Sequence, residues 1–205
     1  MVDRIDLAQW IALAAALGLA SGVRLYAVLL VLGVVGRFDL APLPPAFAPL
    51  EHPVVLGAAV FMVLVELFAD KIPLLDSAWD TVHTFVRIPA GAALAAAVFG
   101  GGRPEWTIAA GLLGGSLAAT SHFAKAGTRA AVNTSPEPFS NFLLSTLEDF
   151  GVGALLWLAF AHPWVAIAVV LVCVVLAVLL LRALVKLVAS GVRRLFPPRR
   201  EAAAR

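Results

Sequence analysis

Four residues that could do chemistry lie on one face of a short polar segment: Asp76, Asp80, His83 and Arg87. Spacings of 4, 3 and 4 positions place all four side chains on one side of an α-helix. Two carboxylates and an imidazole could hold a divalent cation or relay protons. The same face could instead be solvated among lipid headgroups, or form ion pairs with another helix. Spacing alone leaves these interpretations open.

A second polar stripe is cationic, and consists of His122, Lys125, Arg129 and Asn133 at spacings of 3, 4 and 4. If this helix is buried, its cations require acidic partners, because an unpaired charge away from water is costly. One hypothesis is that ion pairs fix the helices; the other is an anion pocket in which Arg24, Lys125 and Arg129 meet a phosphate or carboxylate. The acidic partners available along the chain are Glu66, Asp70, Asp76, Asp80, Glu148 and Asp149.

The segment from Asn133 to Asn141 reads NTSPEPFSN and combines hydroxyls and amides with two prolines. Prolines fix the backbone and remove donors, so we expect a loop or a re-entrant turn. Such a loop could gate a cavity or serve as an ordered connector. The remaining candidate binding residues are Lys71, Ser135, Glu137 and Asn141.

The elements that position these residues must be membrane helices. Hydrophobic residues make up 61% of the 205-residue chain and charged residues only 14%, far from the composition of a soluble domain. At about 20 residues per span, the chain has room for about six to seven membrane helices, counting short or re-entrant ones. We therefore predict an all-α, polytopic membrane bundle over residues 1–190, followed by a basic tail over 191–205.

Along the chain, breaks and prolines divide the apolar runs. Residues 7–36 predict a helix broken at 21–24, and residues 37–53, with five prolines, predict an irregular interfacial loop. Further helices are expected over 54–69, 74–87, about 104–131, 142–161 and 164–194. The last is the clearest ordinary membrane span. Pro89 is expected to join the helix over 74–87 to a small apolar segment over 90–100.

A weak internal similarity links Gly22-Val23-Arg24 to Gly127-Thr128-Arg129, each followed by a proline-bearing loop and a helix with two acids. Many transporters are built from inverted repeats with broken helices. The similarity is compatible with an inverted repeat, but chance resemblance between alanine-rich helices is the better explanation.

The basic end of the chain indicates orientation. From Arg182 onward there are seven basic residues and one acid, Glu201. Lys and Arg accumulate on the inner side of membrane proteins and interact with anionic headgroups there. We expect a cytoplasmic C-terminus and do not expect nucleic-acid binding, because the run follows a span and has no interleaved aromatic residues. Cys173 is the single cysteine, so no intrachain disulfide can form.

Three strings in the sequence are distinctive: GLASGVRLY at 18–26, ADKIPLLDSAWDTVHTFVRIPAGA at 69–92 and HFAKAGTRAAVNTSPEPFSN at 122–141. They resemble a widespread bacterial family of small integral membrane proteins that is catalogued only as a domain of unknown function. The resemblance implies a multi-pass protein of the bacterial cytoplasmic membrane with a shared polar constellation at these positions. It implies no activity, substrate or catalytic residue.

The leading functional hypothesis is transport: passage of a small solute, an ion or an anionic lipid headgroup through a polar cavity between the two stripes. A second hypothesis is a metal-dependent enzyme acting on a lipid-linked phosphate, with Asp76, Asp80 and His83 binding a divalent metal. The sequence has no HExxH, phosphate-loop or Gly-x-Ser-x-Gly motif. A third is a structural protein that binds membrane lipids or further copies of itself.

Overall fold

The computed structural model describes residues 7–72, 74–134 and 138–195, and over these residues the fold is all-α, as predicted. Its elements, in chain order, are α1 (Leu7–Arg37), a 3-10 helix (Pro45–Glu51), α2 (Pro53–Ala69), α3 (Leu75–Val98), α4 (Pro104–Val132), α5 (Pro138–Ala161) and α6 (Pro163–Leu195).

The predicted break in the first helix is confirmed. Arg24 has φ −142° and ψ 73°, outside the helical region, within α1. The break reverses the chain: Trp10 shares a pocket with Pro45, at the start of the 3-10 helix, whereas Gly33 lies against the Leu50 carbonyl near its end. A straight helix would separate Trp10 from Gly33 by about 35 Å, and the 3-10 segment between their contacts spans only about 10 Å. Arg24 therefore stands at the tip of a helical hairpin.

Prolines begin most of the elements. Pro45, Pro53, Pro104, Pro138 and Pro163 are each the first residue of a helix, where the missing N–H has no partner to lose. This preference corrects one expectation: the proline-rich segment after α1 is not irregular throughout, because Pro45 starts a 3-10 helix.

Two further boundaries differ from the sequence prediction. Pro89 does not join two elements but lies inside the continuous helix α3, at the cost of one backbone hydrogen bond to the preceding turn. Helix α5 starts at Pro138, inside the segment that was expected to be a loop. Residues 135–137 of that segment lie outside the described residues.

Helices α1, α3 and α4 form the centre of the bundle, where small residues let the backbones approach. A Cβ on Gly18 would lie 2.7 Å from the Gly114 Cα, and one on Gly22 would collide with Ser121 and Ala118 of α4. The contacts move to higher residue numbers in both helices at once, so the first limb of α1 and helix α4 run in the same direction. The inverted relation between Gly22–Arg24 and Gly127–Arg129 is therefore wrong, and repetition itself stays a prediction.

The outer surface of the bundle is apolar, which suits lipid. Four described helices are long and apolar enough to cross a membrane: Leu7–Arg37, Leu75–Val98, Phe139–Ala161 and Pro163–Gly191. The 3-10 helix and α2, which meet at 74°, could supply a fifth crossing. Large side chains such as Phe61, Phe68 and Leu112 are exposed on the protein surface. The chain has the features of a membrane protein, while six to seven membrane helices remain a prediction.

Candidate functional site

The two polar stripes predicted from sequence meet in one buried charge network. The network joins ten side chains by ion pairs no longer than 3.8 Å, and eight of the ten are buried. Its carboxylates are Glu66, Asp70, Asp76, Asp80, Glu148 and Asp149, and its cations are Arg24, Arg87, Lys125 and Arg129. Glu148 and Asp149 keep 17% and 38% of their side-chain surface exposed.

Asp70 is the centre of the network. It lies at the C-terminal end of α2, where its N–H donates to the Glu66 carbonyl. One of its oxygens, Oδ2, lies 2.7 Å from Arg24 Nη1, 2.6 Å from Lys125 Nζ and 3.8 Å from Arg129 Nη2. Arg129 also donates to the Asp70 backbone carbonyl at 2.6 Å. A single carboxylate thus fixes the end of α2 against the hairpin tip and α4.

Arg24 binds groups on two other helices because the hairpin tip points its guanidinium into the bundle. Besides Asp70 on α2, it donates to the Ser145 hydroxyl at 2.8 Å and lies 3.0 Å from Asp149, both on α5. The break in α1 also leaves the Val23 carbonyl free to accept from Lys125 of α4 at 3.1 Å. The broken helix is therefore part of the site.

The first stripe is buried, so its interpretation as a solvated interfacial face is wrong. Arg87 reaches back along α3 to Asp80 and across to Glu66 of α2, at 2.6 Å each. Asp76, Asp80 and His83 also have at most 5% of their surface exposed. The stripe forms ion pairs with α2 and α4 and a hydrogen bond with Tyr26 of α1.

The two histidines bind neutral neighbours at the edge of the network. His83 Nδ1 donates to the Trp79 carbonyl at 2.8 Å, and Nε2 lies 3.1 Å from the Tyr26 hydroxyl. His122 Nε2 lies 2.7 Å from the Thr84 hydroxyl. Its Nδ1 lies 3.5 Å from the Arg87 guanidinium.

Amides close the network at the ends of α4 and α5. Asn133 donates to Asp76 Oδ1 at 2.8 Å and to the Ser77 hydroxyl at 3.0 Å, and Asn141 donates to the Asn133 side-chain oxygen at 2.7 Å. Both were candidate residues from sequence. Two other candidates, Ser135 and Glu137, lie outside the described residues. Lys71 stands apart, with its ammonium 5.3 Å from the ring centre of Phe142.

The proposed metal triad does not assemble. Asp76 binds Asn133, Asp80 binds Arg87, and His83 binds Trp79 and Tyr26. Among the described residues, no group of three His, Cys, Asp or Glu side chains is arranged to hold a metal ion. One face of a helix places side chains on the same side. Ligation requires more, because each ligand atom must lie about 2.0–2.6 Å from one metal ion.

The anion pocket is also wrong in its simple form. Arg24, Lys125 and Arg129 do converge, but around carboxylates of the chain itself. Asp70 and Glu148 occupy the place that a phosphate or carboxylate ligand would take. The pairing hypothesis therefore describes both stripes.

The network has more acids than bases. Six carboxylates face four permanent cations, so with neutral histidines the ten side chains carry an excess of two negative charges. Three buried carboxylate oxygens, Asp70 Oδ1, Asp76 Oδ2 and Asp80 Oδ2, have no hydrogen-bond donor among the described residues. The Nε–H groups of Arg87 and Arg129 likewise have no acceptor among those residues. Buried polar atoms are rarely left unpaired, so unused acceptors and unused donors both remain inside the network.

Sequence reasoning missed three polar members of the site. Tyr26 and Ser145 bind His83 and Arg24, and Thr84 binds His122. Ser145 was detectable in principle, since it lies three and four positions before Glu148 and Asp149 and so shares their helix face. Tyr26 was not, because it follows the break in α1.

A groove of about 530 Å³ adjoins the network between α1, α4, α5 and α6. Its walls are mainly aliphatic, and Lys125 and Glu148 are its only charged lining residues among those described. The groove therefore joins an apolar space to one side of the charge network.

Residues 11–183 match the family described as "Domain of unknown function (DUF4126)". The chain belongs to this family. The match covers all ten side chains of the charge network and confirms the expectation of a family of unknown function. No curated protein and no solved structure matches the chain. In this DUF4126 protein, the charge network and the adjoining groove form the candidate functional site.

Proposed function

We propose that this DUF4126 protein is a proton-coupled membrane transporter. The observation that carries the proposal is the formal excess of two carboxylates over cations in a buried network between the helices of a membrane-type bundle. A net charge in a low-dielectric interior is unfavourable. Binding of protons is the simplest way to remove it, and ionisable groups at membrane depth commonly serve proton relays.

Asp76 is a network carboxylate whose charge has little compensation from cations. Its Oδ1 accepts from the Ser77 N–H and from Asn133, which are neutral donors. Its Oδ2 has no donor, and the nearest cation, Arg129 Nη1, is 3.8 Å away. Asp76 is fully buried, so its charge is compensated less than that of Asp70 or Asp80.

Protonation would change which partners the network holds together. Lys125 Nζ lies 2.6 Å from Asp70, 3.4 Å from Glu148 and 3.8 Å from Asp80. Neutralising any one acceptor moves the ammonium toward the others. Because Lys125 and Arg24 connect α4 and α5 to the hairpin tip, a proton can bias the packing of helices, as alternating access requires.

The proposed placement is the bacterial cytoplasmic membrane, with the C-terminus in the cytoplasm. The support is the basic end of α6, where Arg182 and Lys186 follow the apolar part of that helix. Membrane lipids are the expected surroundings, and further copies of the chain are a candidate partner.

The test uses purified protein in liposomes on a solid-supported electrode, exposed to a pH jump without added substrate. We expect a transient charge displacement from the wild type. We expect about half that displacement from Asp76→Asn, because one of the two excess sites is removed. Glu105→Gln is the matched control, since this carboxylate is exposed and pairs only with the exposed Arg103 among the described residues.

A static scaffold is the second candidate, and it is favoured by one observation: each of the ten charged side chains has an oppositely charged partner within 3.8 Å. A scaffold predicts no displacement from the wild type, or the same displacement from Asp76→Asn. Either result would overturn the transport proposal.

A further inference from the structure

We propose that the groove between α1, α4, α5 and α6 binds a lipophilic monocation, which is the substrate class of the transporter. The inference rests on the proposed function for its transport role, but binding to the groove can be measured separately. The groove holds about 530 Å³, within the range of small-molecule sites. This volume suits an organic cation with several rings.

The walls of the groove favour an apolar body. Leu19 comes from α1, Leu144 and Leu155 from α5, and Cys173 and Leu180 from α6. The Ser121 and Thr128 hydroxyls also line it, but both donate to backbone carbonyls, of Leu19 and Ala124. The walls thus offer surface for hydrophobic contact and no free hydroxyl donor.

The charged end of the groove favours a cation. Lys125 is held by Asp70 at 2.6 Å and by the Val23 carbonyl at 3.1 Å, and its side chain is 2% exposed. Glu148 is the more accessible of the two charged residues, at 17%. Its Oε2 lies 2.9 Å from Arg129, 3.4 Å from Lys125 and 3.6 Å from Arg24. Its Oε1 accepts no hydrogen bond among the described residues, so Oε1 is the oxygen left for an arriving cation.

An anionic amphiphile is the less suitable occupant. Its headgroup would have to displace Asp70 from Lys125, and it would add negative charge beside a network that already has too much. A monocation near Glu148 instead offsets part of that excess. Charge complementarity thus separates the two classes of amphiphile.

Two glycines on α5 provide a matched pair of variants. Gly151 lines the groove, whereas Gly153 lines a different pocket, with Val31 and Trp157. A Cβ at either glycine would meet nothing within 4 Å. Leucine at 151 should therefore fill the groove without disturbing the helices, and leucine at 153 should leave the groove open.

The probe is tetraphenylphosphonium, with tetraphenylborate as an anion of the same shape, measured by equilibrium dialysis against the full-length protein in lipid nanodiscs. We expect saturable binding of one phosphonium per chain and no saturable binding of the borate. Gly151→Leu and Glu148→Gln should each weaken binding at least about tenfold, while Gly153→Leu should bind as the wild type does.

Three results would overturn the inference: no saturable phosphonium binding, equal binding of the borate, or unchanged binding by Gly151→Leu. The pH-jump measurement separates this failure from failure of the proposed function. Charge displacement without phosphonium binding rejects the substrate class alone. Phosphonium binding by a protein that shows no displacement keeps the groove site and rejects proton coupling.

Discussion

Asp70 and Asp76 are both fully buried, but they differ in what they hold. Asp70 accepts from Lys125 and Arg24 at 2.6 and 2.7 Å, whereas Asp76 binds the neutral donors Ser77 and Asn133. Removing one partner of a buried ion pair leaves an uncompensated charge, and the cost is about 3–5 kcal/mol. Removing the charge of Asp76 leaves its hydrogen bonds possible and reduces the excess negative charge.

We therefore expect Asp70→Asn to be strongly destabilised, by about 3–5 kcal/mol, and Asp76→Asn to be as stable as the wild type or more so. Thermal unfolding in detergent, followed by tryptophan fluorescence, measures both, with the exposed Glu105→Gln as a control. Equal destabilisation by the two substitutions would show that Asp76 is held as an anion by the network, against the charge argument.

At the residue scale, the sequence could predict which side chains share a face but not what that face meets. Spacings of 4, 3 and 4 placed Asp76, Asp80, His83 and Arg87 together, and the structure keeps them together. Whether they face water, lipid or protein depends on the rotation of α3 against its neighbours. That rotation is set by contacts with other helices, which periodicity does not contain.

At the element scale, proline and apolar run length predicted most helix positions, and the break at Arg24 was visible as a polar interruption. The reversal of the chain at Arg24 was not visible, because the sequence does not indicate the angle between two helical limbs that a single residue joins. The 3-10 helix was missed because five prolines argue against an α-helix, while a short 3-10 segment accepts proline in its first turn.

The contact of the first hairpin limb with α4 gives an element-scale prediction. A Cβ on Gly22 would collide with the Ala118 carbonyl and the Ser121 hydroxyl, and a backbone carbonyl cannot move without moving α4. We expect Gly22→Ala to lower stability by about 1–3 kcal/mol. Gly57→Ala, in α2 with nothing within 4 Å of the added Cβ, should leave stability unchanged or raise it slightly.

Thermal unfolding of the two alanine variants, side by side, measures this difference. The charge network supplies a second reason for it, because Gly22 lies two residues before Arg24 and a shift of the limb would move that guanidinium. Similar unfolding temperatures for both variants would mean that the hairpin limb can move away from α4 at little cost, and that the close contact does not position the network.

At the scale of the whole molecule, composition decided the class of protein because lipid leaves few alternatives. Every buried backbone group must be satisfied within the chain, so an apolar chain of this kind becomes a helical bundle. The number of membrane crossings was harder to predict. Helix α1 is long enough to span a membrane but reverses at Arg24. Helix α4 lies at the centre of the bundle but is not among the four described helices that are long and apolar enough to span. The length of an apolar run does not show whether the helix reverses within it.

The direction of the helices gives a final prediction about orientation. Leu184 of α6 lies against Gly127 of α4, so the end of α6 passes the level of the charge network and Lys186 lies beyond. The turn at Gly101 joins α3 to α4 at the opposite end of the bundle. Because Lys and Arg are retained on the cytoplasmic side, Gly101 should face the outside and Gly191 the cytoplasm.

Single cysteines at these two positions test the orientation, in a Cys173→Ala background expressed in bacteria. Both glycines have open space around an added Cβ, so each thiol should be reachable by reagent. We expect a membrane-impermeant maleimide to label Gly101→Cys in intact spheroplasts and Gly191→Cys only after the membrane is opened. The reverse pattern would place the basic end outside and remove the orientation argument. Labelling of both in intact spheroplasts would place the two ends on the same side of the membrane and would also contradict the predicted orientation.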